Sequence, residues 1–284
     1  MSQERLAPIV KWVGGKRQLL DEIIPLLPEK FTTYCEPFLG GGAVFFAVQP
    51  ANAVVNDLNA DLIAVYETVR DDVETLIASL KQHKNTEAYF YQIRDLDRNP
   101  EQYQAMSKIE KASRLLYLNK TCFNGLFRVN KSGKFNTSYG RYKNPDIVNE
   151  AGLRAASKFL NESKIEFCSG DFEQVFSRCP AGSFVYLDPP YDPVSNTANF
   201  TSYNKNGFDQ NQQIRLKECC DELTNRKVKF MLSNSATDFI EDLYSGYDIT
   251  IVKARRAVNA NAAKRGAVDE VIIRNYEGGK SNDH

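Results

Sequence analysis

The sequence predicts an α/β protein built on a doubly wound sheet of about seven strands. Seven short segments are predicted to be extended strands, and they lie at residues 34–38, 53–56, 165–168, 183–187, 228–232, 249–252 and 270–273. Helical spacing of Leu, Ile, Val and Tyr occupies much of the chain between them. Glycine or aspartate comes soon after each of the first four segments. Strands that alternate with helices in this way favour a mostly parallel sheet with helices on both faces.

The remaining segments are assigned from their periodicity. A helix is predicted over residues 17–27, and a second one begins at Ala43 after a glycine turn. Helical spacing then extends over about 60–120 and returns at 147–160. Residues 121–143 between them contain Gly125, Gly133 and Gly140 among aromatic, basic and Asn residues, which is typical of a hairpin with long loops.

These assignments predict two domains, one of them discontinuous. Residues 1–59 and 161–278 would form the sheet domain, and residues 60–160 would be inserted into it. The Ser-, Asn- and Gln-rich segment 194–213 is expected to be a mobile loop.

Composition points to an ordinary globular enzyme. Hydrophobic residues make up 42% of the 284 residues and charged residues 25%. No stretch approaches the roughly 18 apolar residues of a membrane span, and the N-terminus lacks the pattern of a signal peptide. We therefore expect a cytoplasmic protein that does not contact membranes.

Histidine and cysteine usage excludes several chemistries. The two histidines are His83, in a polar helical stretch where an exposed position is expected, and His284. Ser-His-Asp triads, Cys-His pairs and His-rich zinc sites need imidazole beside a nucleophile or metal, so these classes are disfavoured. The six cysteines form no Cys-x-x-Cys pair and are expected to be buried thiols. No metal is expected.

The net charge is zero, yet basic residues are concentrated in two segments that lack Asp and Glu. The first, 112–145, contains Arg114, Lys120, Arg128, Lys131, Lys134, Arg141 and Lys143. The second, 249–268, contains Lys253, Arg255, Arg256, Lys264 and Arg265. Charged runs are usually solvated surface, but two acid-free basic segments in a neutral protein suggest a surface for phosphates.

Two glycine motifs resemble nucleotide-binding turns without completing either fingerprint. Gly40-Gly41-Gly42 follows a strand, but Phe45 occupies the third glycine position of the dinucleotide motif. Gly14-Gly15-Lys16 has Val10 in place of the first glycine of a phosphate loop. A glycine turn without phosphate-specific parts suits a cofactor that contains adenosine but no phosphate.

Two aspartates at strand ends fit the same cofactor. Asp57 can accept hydrogen bonds from ribose hydroxyls, although a turn aspartate is an equal alternative. Asp171 can accept from an adenine amine while Phe172 stacks on the ring, although a turn residue and a core ring would look the same.

The most informative motif is Asp188-Pro189-Pro190-Tyr191. It follows the apolar strand 183–187, which places it at the carboxyl edge of the sheet, where ligands bind. Two prolines stiffen the segment and direct its carbonyls, and a carboxylate with a carbonyl can hold both hydrogens of an aromatic amine. The nitrogen lone pair is thereby made more nucleophilic, and Tyr191 can stack on the base. The alternative is a proline-stiffened turn after a buried strand.

Taken together and in this order, the motifs closely resemble the Dam family of DNA adenine methyltransferases, including the DpnII-type modification enzymes. They are residues 11–16, 36–42, 56–57, 170–172 and 188–191, joined by 124–128, 135–136, 140–142 and 232–235. The resemblance covers nearly the whole chain and implies a Rossmann-like S-adenosylmethionine-dependent methyltransferase sheet. It further implies that residues 60–160 form a DNA target-recognition domain.

The resemblance implies roles for particular residues. Catalysis would use Asp188, Pro189, Pro190 and Tyr191. S-adenosylmethionine would be bound by Trp12, Gly14, Gly15, Lys16, Glu36, Pro37, Phe38, Gly40, Gly42, Asp57, Asp171, Phe172 and Asp188. Double-stranded DNA would be bound by Lys11, Phe123, Asn124, Leu126, Arg128, Asn136, Ser138, Arg141 and Tyr142.

The resemblance also implies the sequence GATC as the target, with Lys11 and Arg128 on guanines. Phe123 stands where some members have Tyr, and Ser138 where many have Pro. The residues themselves agree with this site: Arg128 can bind guanine, and Asn124 or Asn136 can bind adenine. Phe123 or Leu126 can enter the base stack, although a basic surface loop is the alternative.

The combined prediction is methyl transfer to the N6 amine of a flipped-out adenine in duplex DNA. Two alternatives remain open from the sequence. The same fold can methylate cytosine N4 or a glutamine amide, but those enzymes usually have Ser or Asn before Pro-Pro-Tyr. The chain could also be a DNA-binding regulator with an inactive methyltransferase scaffold. A restriction endonuclease is a possible functional counterpart, and no stable protein partner is implied.

Overall fold

The computed structural model describes residues 5–193, 208–255 and 267–277. The strands are β1 (Tyr34–Glu36), β2 (Asn52–Asp57), β3 (Lys164–Ser169), β4 (Phe184–Leu187), β5 (Lys229–Ser235), β6 (Asp248–Arg255) and β7 (Ala267–Arg274). The helices are α1 (Leu20–Ile23), α2 (Ala43–Val48), α3 (Ala60–Asp71), α4 (Val73–Leu80), α5 (Glu87–Arg94), α6 (Pro100–Ala105), α7 (Lys108–Thr121), α8 (Glu150–Glu162), α9 (Glu173–Phe176), α10 (Gln210–Asn225) and α11 (Asp238–Leu243).

The sheet has the strand order β3-β2-β1-β4-β5-β7-β6. Strand β1 pairs in parallel with β2 and β4, and β4 pairs in parallel with β5. Strand β7 is antiparallel to both of its neighbours, β5 and β6. The order is that of a doubly wound sheet into which one antiparallel strand is inserted near the edge. The predicted fold class and all seven predicted strands are confirmed.

Parallel pairing determines where the segments after the strands emerge. Tyr34 of β1 is in register with Phe184 of β4, and Leu187 at the end of β4 is level with Leu232 of β5. The residues that follow β1 and β4 therefore leave the sheet at the same edge, which is where open α/β sheets bind ligands. All four residues of β4 are buried, so this strand fixes the position at which the segment beginning at Asp188 starts.

The chain forms two compact units. The first comprises residues 1–15, 40–51 and 57–170. Its core contains Phe45, Phe46, Tyr66 and Phe159. The second comprises residues 16–39, 52–56 and 171–284, and its core is built around Tyr34 and Phe184. The division at residues 60 and 160 remains a prediction from the sequence.

Two predicted elements are less regular than expected. The helix predicted at 17–27 is only one α-turn, α1, between the 3-10 segments Lys16–Leu19 and Ile24–Leu26, because Pro25 lacks the amide hydrogen that a continuous α-helix needs. Within 121–143, the hairpin is held by two isolated antiparallel bridges, Cys122–Tyr139 and Val129–Phe135.

The expectation of an exposed His83 is wrong. Its imidazole is half-buried, stacks on Tyr117 at 4.4 Å between ring centroids, and lies 3.0 Å from the hydroxyls of Tyr89 and Ser113. Burial lowers the pKa of His83 to about 4, so the ring is neutral at physiological pH. A polar local sequence gave no sign of this packing.

The predicted loop 194–213 ends earlier than expected. Residues 210–213 belong to α10, and Asp209 accepts a hydrogen bond from the amide of Gln212 at its start. Residues 194–207 lie outside the described part of the chain. Five of the six cysteines are buried as expected, whereas Cys168 is partly exposed. No helix in the described ranges is long and apolar enough to span a membrane.

Candidate active site and recognition loop

The segment Asp188–Tyr191 begins directly after buried β4. Oδ1 of Asp188 lies 2.7 Å from the ammonium of Lys16, and the two side chains are 19% and 6% exposed. Burial raises the pKa of Asp188, while the charge and hydrogen bond of Lys16 lower it. The buried Asp188 carboxylate is thus paired with the Lys16 ammonium. It still binds a proton more tightly than the carboxylate of a surface aspartate does.

The Tyr191 ring is held at two points. Its hydroxyl donates to Oε2 of Glu270 over 2.7 Å, and the ammonium of Lys16 lies 4.5 Å from the ring centroid. Burial, followed by the nearby charges of Asp188 and Glu270, raises the pKa of Tyr191 well above its usual range. The phenol therefore stays protonated and acts as a hydrogen-bond donor. Glu270 lies on β7 and is not part of any sequence motif considered above.

The backbone after the prolines is fixed by buried amides. The Pro190 carbonyl accepts from Nε2 of Gln213 at 2.9 Å. Oδ1 of Asn234 accepts from the Asp192 amide at 3.0 Å, and Nδ2 of Asn234 donates to Oε1 of Gln213. Thr237 donates to the Asp192 carboxylate. The sequence flagged Asn234 only through its motif, and nothing in the local pattern distinguished Gln213.

Three cofactor candidates at the end of β1, Glu36, Pro37 and Phe38, lie in the second unit. Glu36 is 2% exposed and accepts from the Tyr34 hydroxyl at 2.6 Å, and the Pro37 carbonyl accepts from Asn56 at 3.0 Å. The ring of Phe38 lies 5.2 Å from that of Phe172. Phe208 packs against both rings, at 5.7 and 5.8 Å. This aromatic cluster of Phe38, Phe172 and Phe208 offers flat apolar surface, and Phe208 carries no sequence signal.

Asp171 is already paired. Its two carboxylate oxygens accept from the guanidinium of Arg215 at 3.0 and 2.5 Å, and Oδ1 also accepts from the Glu173 amide. The same guanidinium lies 4.6 Å from the Phe172 ring. The hydrogen bond and charge of Arg215 lower the pKa of Asp171, so this carboxylate is ionised. Arg215 was not foreseen from the sequence.

In the first unit, the glycine turn is pinned by Asp57. Its Oδ2 accepts from the Gly40 amide and its Oδ1 from the Asn59 amide, both at 2.8 Å. Gly40 has φ +49°, and a Cβ there would lie 3.0 Å from the Trp12 ring. Gly42, with φ +66°, precedes α2. Burial raises the pKa of Asp57 despite these two hydrogen bonds.

The Gly14-Gly15 pair forms a turn after Trp12. The Gly15 amide donates to the Trp12 carbonyl, and Gly14 has φ +77°. The Trp12 ring stacks on Phe127 at 4.9 Å with an interplanar angle of 21°. Within this unit, Trp12 therefore contacts both the glycine turn at Gly40 and Phe127 of the hairpin segment.

The hairpin brings the DNA-binding candidates together. Nε of Arg128 donates to Oδ1 of Asn136 at 2.8 Å, and the Asn136 amide donates back to the Arg128 carbonyl. Arg128 itself is exposed. Asn136 thus holds the guanidinium in one orientation on the surface.

The hairpin base has a second set of contacts. Asn124 has φ +56°, and its amide donates to the Tyr142 hydroxyl at 2.9 Å. The Phe123 amide donates to the Ser138 carbonyl, and Phe123 is 53% exposed. Leu126 is half-buried, and Arg141 makes a solvent-exposed ion pair with Glu87 at 3.5 Å. An exposed Phe123 fits a residue that enters a base stack.

Lys11 is tied to the hairpin base by a residue that the sequence did not single out. Oδ1 of buried Asn119 accepts from the Lys11 amide at 2.9 Å, and Nδ2 donates to the Lys11 carbonyl at 2.7 Å. The Lys11 side chain is exposed. Of the second basic segment, Lys253 is exposed on β6, whereas Arg256, Lys264 and Arg265 lie outside the described residues. No cluster of three metal-binding side chains occurs in the described ranges.

The fold is a doubly wound α/β sheet that carries the Asp188–Tyr191 segment at its carboxyl edge, the edge at which open α/β sheets bind ligands. A family model described as D12 class N6 adenine-specific DNA methyltransferase matches residues 12–258, most of the chain. The chain belongs to this family and is an adenine-specific DNA methyltransferase. The predicted family and its adenine-specific DNA methyltransferase class are confirmed, and the cytosine and glutamine alternatives are set aside.

Curated relatives match over almost their full lengths. The chain is 44% identical to the Type II methyltransferase M1.LlaDCHI of Lactococcus lactis subsp. cremoris, covering 95% of this chain and 96% of the relative. It is 42% identical to the Type II methyltransferase M.MjaIII of Methanocaldococcus jannaschii, covering 95% and 99%. It is 34% identical to the DNA adenine methylase of Escherichia coli strain K12, covering 93% of each chain.

Proposed function

We propose that this enzyme transfers a methyl group from S-adenosylmethionine to N6 of an adenine flipped out of duplex DNA, within GATC. The observation that carries the proposal is the buried Asp188 carboxylate, paired with Lys16 beside the Tyr191 ring. The Asp188 carboxylate accepts one hydrogen of the N6 amine. The Pro189 carbonyl accepts the other, because that of Pro190 is engaged by Gln213.

These acceptors and the ring act on the target base in two ways. Withdrawing both amine hydrogens into fixed hydrogen bonds reduces the delocalisation of the nitrogen lone pair. The ring of Tyr191 stacks on the base, a contact worth about 1–3 kcal/mol in aromatic–base pairs. Holding the nitrogen in line with the transferable methyl supplies much of the acceleration.

The proton that N6 loses needs an acceptor. Positive charge develops on the amine as the methyl arrives, and the adjacent Asp188 carboxylate stabilises it. Burial raises the pKa of Asp188, which makes it a better proton acceptor than a surface carboxylate. Lys16 keeps enough of the carboxylate ionised before the reaction.

The residues fit S-adenosylmethionine, which supplies an activated sulfonium methyl when bound. The glycine turn at Gly40 lacks phosphate-specific parts, and the aromatic cluster of Phe38, Phe172 and Phe208 suits a flat adenine. Asp57 retains acceptor capacity for ribose hydroxyls beside its two backbone bonds, and Asp171 retains it for the adenine amine beside Arg215. The other residues that we assign to cofactor binding are Trp12, Gly14, Gly15, Lys16, Glu36, Pro37 and Gly42.

We assign DNA recognition to residues 60–160, with the sheet residues 1–59 and 161–278 as the catalytic domain. Arg128, oriented by Asn136, reads guanine, and Lys11 reads a second guanine. Phe123, Asn124, Leu126 and Ser138 contact the site around the displaced base, and Arg141 and Tyr142 support the loop. The proposed location is the cytoplasm, where the enzyme acts either beside a restriction endonuclease with the same target sequence or without one.

The test is methyl transfer to plasmid DNA, followed by mapping of modified bases. N6-methyladenine confined to GATC, made only when S-adenosylmethionine is supplied, is the expected result. The variant Asp188→Ala should lose activity by at least about a hundredfold while binding duplex DNA normally, since it removes an acceptor used in the transition state. Near-normal methylation by Asp188→Ala would overturn the catalytic assignment, and methylation at another sequence would overturn the target.

A further inference from the structure

We propose that Glu270 is a positioning residue for methyl transfer, holding the Tyr191 ring in the orientation that seats the target adenine. The inference rests on the proposed function in one respect, the stacking of Tyr191 on that base. The hydroxyl of Tyr191 donates to Oε2 of Glu270 over 2.7 Å. The two residues are 79 positions apart in sequence, so the contact exists only in the folded sheet.

Glu270 is mounted on a rigid strand. It lies on β7, opposite Ser235 of β5 and Val252 of β6, so the backbone is hydrogen-bonded into the sheet on both sides. The following residues, Val271 and Ile272, are buried. Tyr191, by contrast, lies beyond the end of β4 and outside regular secondary structure. The hydrogen bond therefore restrains the Tyr191 ring, which lies outside regular secondary structure, by linking it to a residue whose backbone is fixed in the sheet.

Two neighbours define the orientation of the ring. Glu270 fixes the hydroxyl end, and the ammonium of Lys16 lies 4.5 Å from the ring centroid. A phenol held at its hydroxyl cannot swing about the Cα–Cβ bond without breaking a charge-assisted hydrogen bond. The face available to a base is thus preset before DNA binds, which reduces the ordering that binding requires.

The carboxylate of Glu270 also acts on Asp188 through its charge. The negative charge of Glu270 contributes to raising the pKa of Asp188, although burial is the larger cause. Replacement by Gln retains a hydrogen-bond acceptor for Tyr191 but removes this charge. Replacement by Ala removes both. The two variants therefore separate ring positioning from electrostatics.

The experiment measures single-turnover methylation of a GATC duplex at saturating cofactor and DNA. Glu270→Ala and Tyr191→Phe should each slow the methylation step by about tenfold, the scale of one lost hydrogen bond to a charged group. Cofactor and DNA affinities should stay within about twofold, because the bond acts on ring orientation rather than on uniform binding. The double variant should be no slower than either single variant, since both remove the same hydrogen bond.

Glu270→Gln should remain within about threefold of the parent rate, because its amide oxygen still accepts from Tyr191. The acidic limb of its pH–rate profile should move to lower pH, since removal of the Glu270 charge lowers the pKa of Asp188. A merely structural role would not move that limb. Asp269→Asn is the matched control: it removes one charge from the neighbouring, exposed position of β7 and should leave rate and profile unchanged.

Several outcomes would overturn the inference. Additive losses in the double variant would mean that Glu270 acts independently of Tyr191, and full activity of Glu270→Ala would mean that the bond is dispensable. If Glu270→Ala does not fold, Tyr191→Phe and Glu270→Gln decide the question, because each changes little volume. An active Asp188→Ala would instead refute the proposed function, whichever result Glu270 gives.

Discussion

The ammonium of Lys16 lies 2.7 Å from Oδ1 of Asp188, and both side chains are largely withdrawn from solvent. This ion pair joins the residue that follows the Gly14-Gly15 turn to the first residue of the Asp-Pro-Pro-Tyr segment. Without Lys16, the Asp188 carboxylate would have little to offset the cost of burying its charge. The pair therefore sets the protonation state on which hydrogen bonding to the target amine depends.

Replacing Lys16 should shift the pH dependence of methylation. In Lys16→Met the pKa of Asp188 rises further, because burial still raises it and the opposing cation is gone. The proton is then retained to higher pH, so the acidic limb of the pH–rate profile should move upward. Profiles measured at saturating cofactor and DNA test this, with the charge-conserving Lys16→Arg as control. An unchanged limb would show that Lys16 does not govern Asp188.

Removing Arg128 should relax sequence discrimination at one base pair. Arg128→Ala is expected to reduce the preference for the cognate pair by about 1–3 kcal/mol, since a bidentate guanine contact is lost. Asn136→Ala should have a smaller effect in the same direction, because it frees the guanidinium without removing it. Methylation rates on duplexes with single substitutions in the site provide the measurement.

Lys131 is the comparison for Arg128 because it is exposed on the same hairpin. If Lys131 contacts a phosphate, Lys131→Ala should reduce the slope of log binding constant against log salt concentration by about one unit. Discrimination between DNA sequences should be preserved. A uniform loss of affinity for all sequences in Arg128→Ala would instead identify Arg128 as a phosphate contact.

A side chain at Gly40 should weaken cofactor binding. Gly40→Ala places a Cβ at φ +49° and 3.0 Å from the Trp12 ring, which should cost about 1–3 kcal/mol in strain. Trp12 is the single tryptophan of the chain, so its fluorescence reports the titration with S-adenosylmethionine directly. Gly246→Ala is the control, since its Cβ meets nothing within 4 Å. Equal affinities for both variants would contradict the prediction.

The buried pair Arg114–Asp97 should matter for folding. Arg114 lies 2.9 Å from Asp97, with side chains 7% and 9% exposed, and Asp97 also accepts from the amide of Phe135 in the hairpin. Arg114→Leu should lower the free energy of unfolding by about 1–3 kcal/mol, because the buried Asp97 carboxylate loses one of its two cationic partners and keeps Arg98. Urea denaturation provides the measurement.

The matched control for Arg114 is an ion pair on the surface. Arg154 binds Glu74 at 2.7 Å, and both side chains are solvent-exposed. Arg154→Leu should leave the urea midpoint almost unchanged, because exposed pairs contribute little. Similar losses in the two variants would mean that burial does not determine the importance of the Arg114 pair.

The sheet and the order of its motifs could be predicted from the residues alone. Seven segments located β1–β7: β1, β2, β4, β5 and β7 contain runs of buried apolar residues, whereas in the two edge strands β3 and β6 most of the described side chains are at least partly exposed. The candidate catalytic segment was identified from Asp188 and the two prolines at the end of β4. This was possible because the chemistry of the segment and its position after a strand can both be recognised from adjacent residues. Local periodicity was misleading where Pro25 interrupts a helix and where His83 is half-buried.

Which side chains contact one another could be seen only in the folded structure. Glu270 reaches Tyr191, Arg215 pairs with Asp171, and Asn119 ties Lys11 to the hairpin base, each across dozens of residues of sequence. The antiparallel course of β7 between β5 and β6 brings Glu270 to its position. Such contacts depend on sheet order and strand register, which arise from packing of the whole chain and leave no signal in the residues next to each partner.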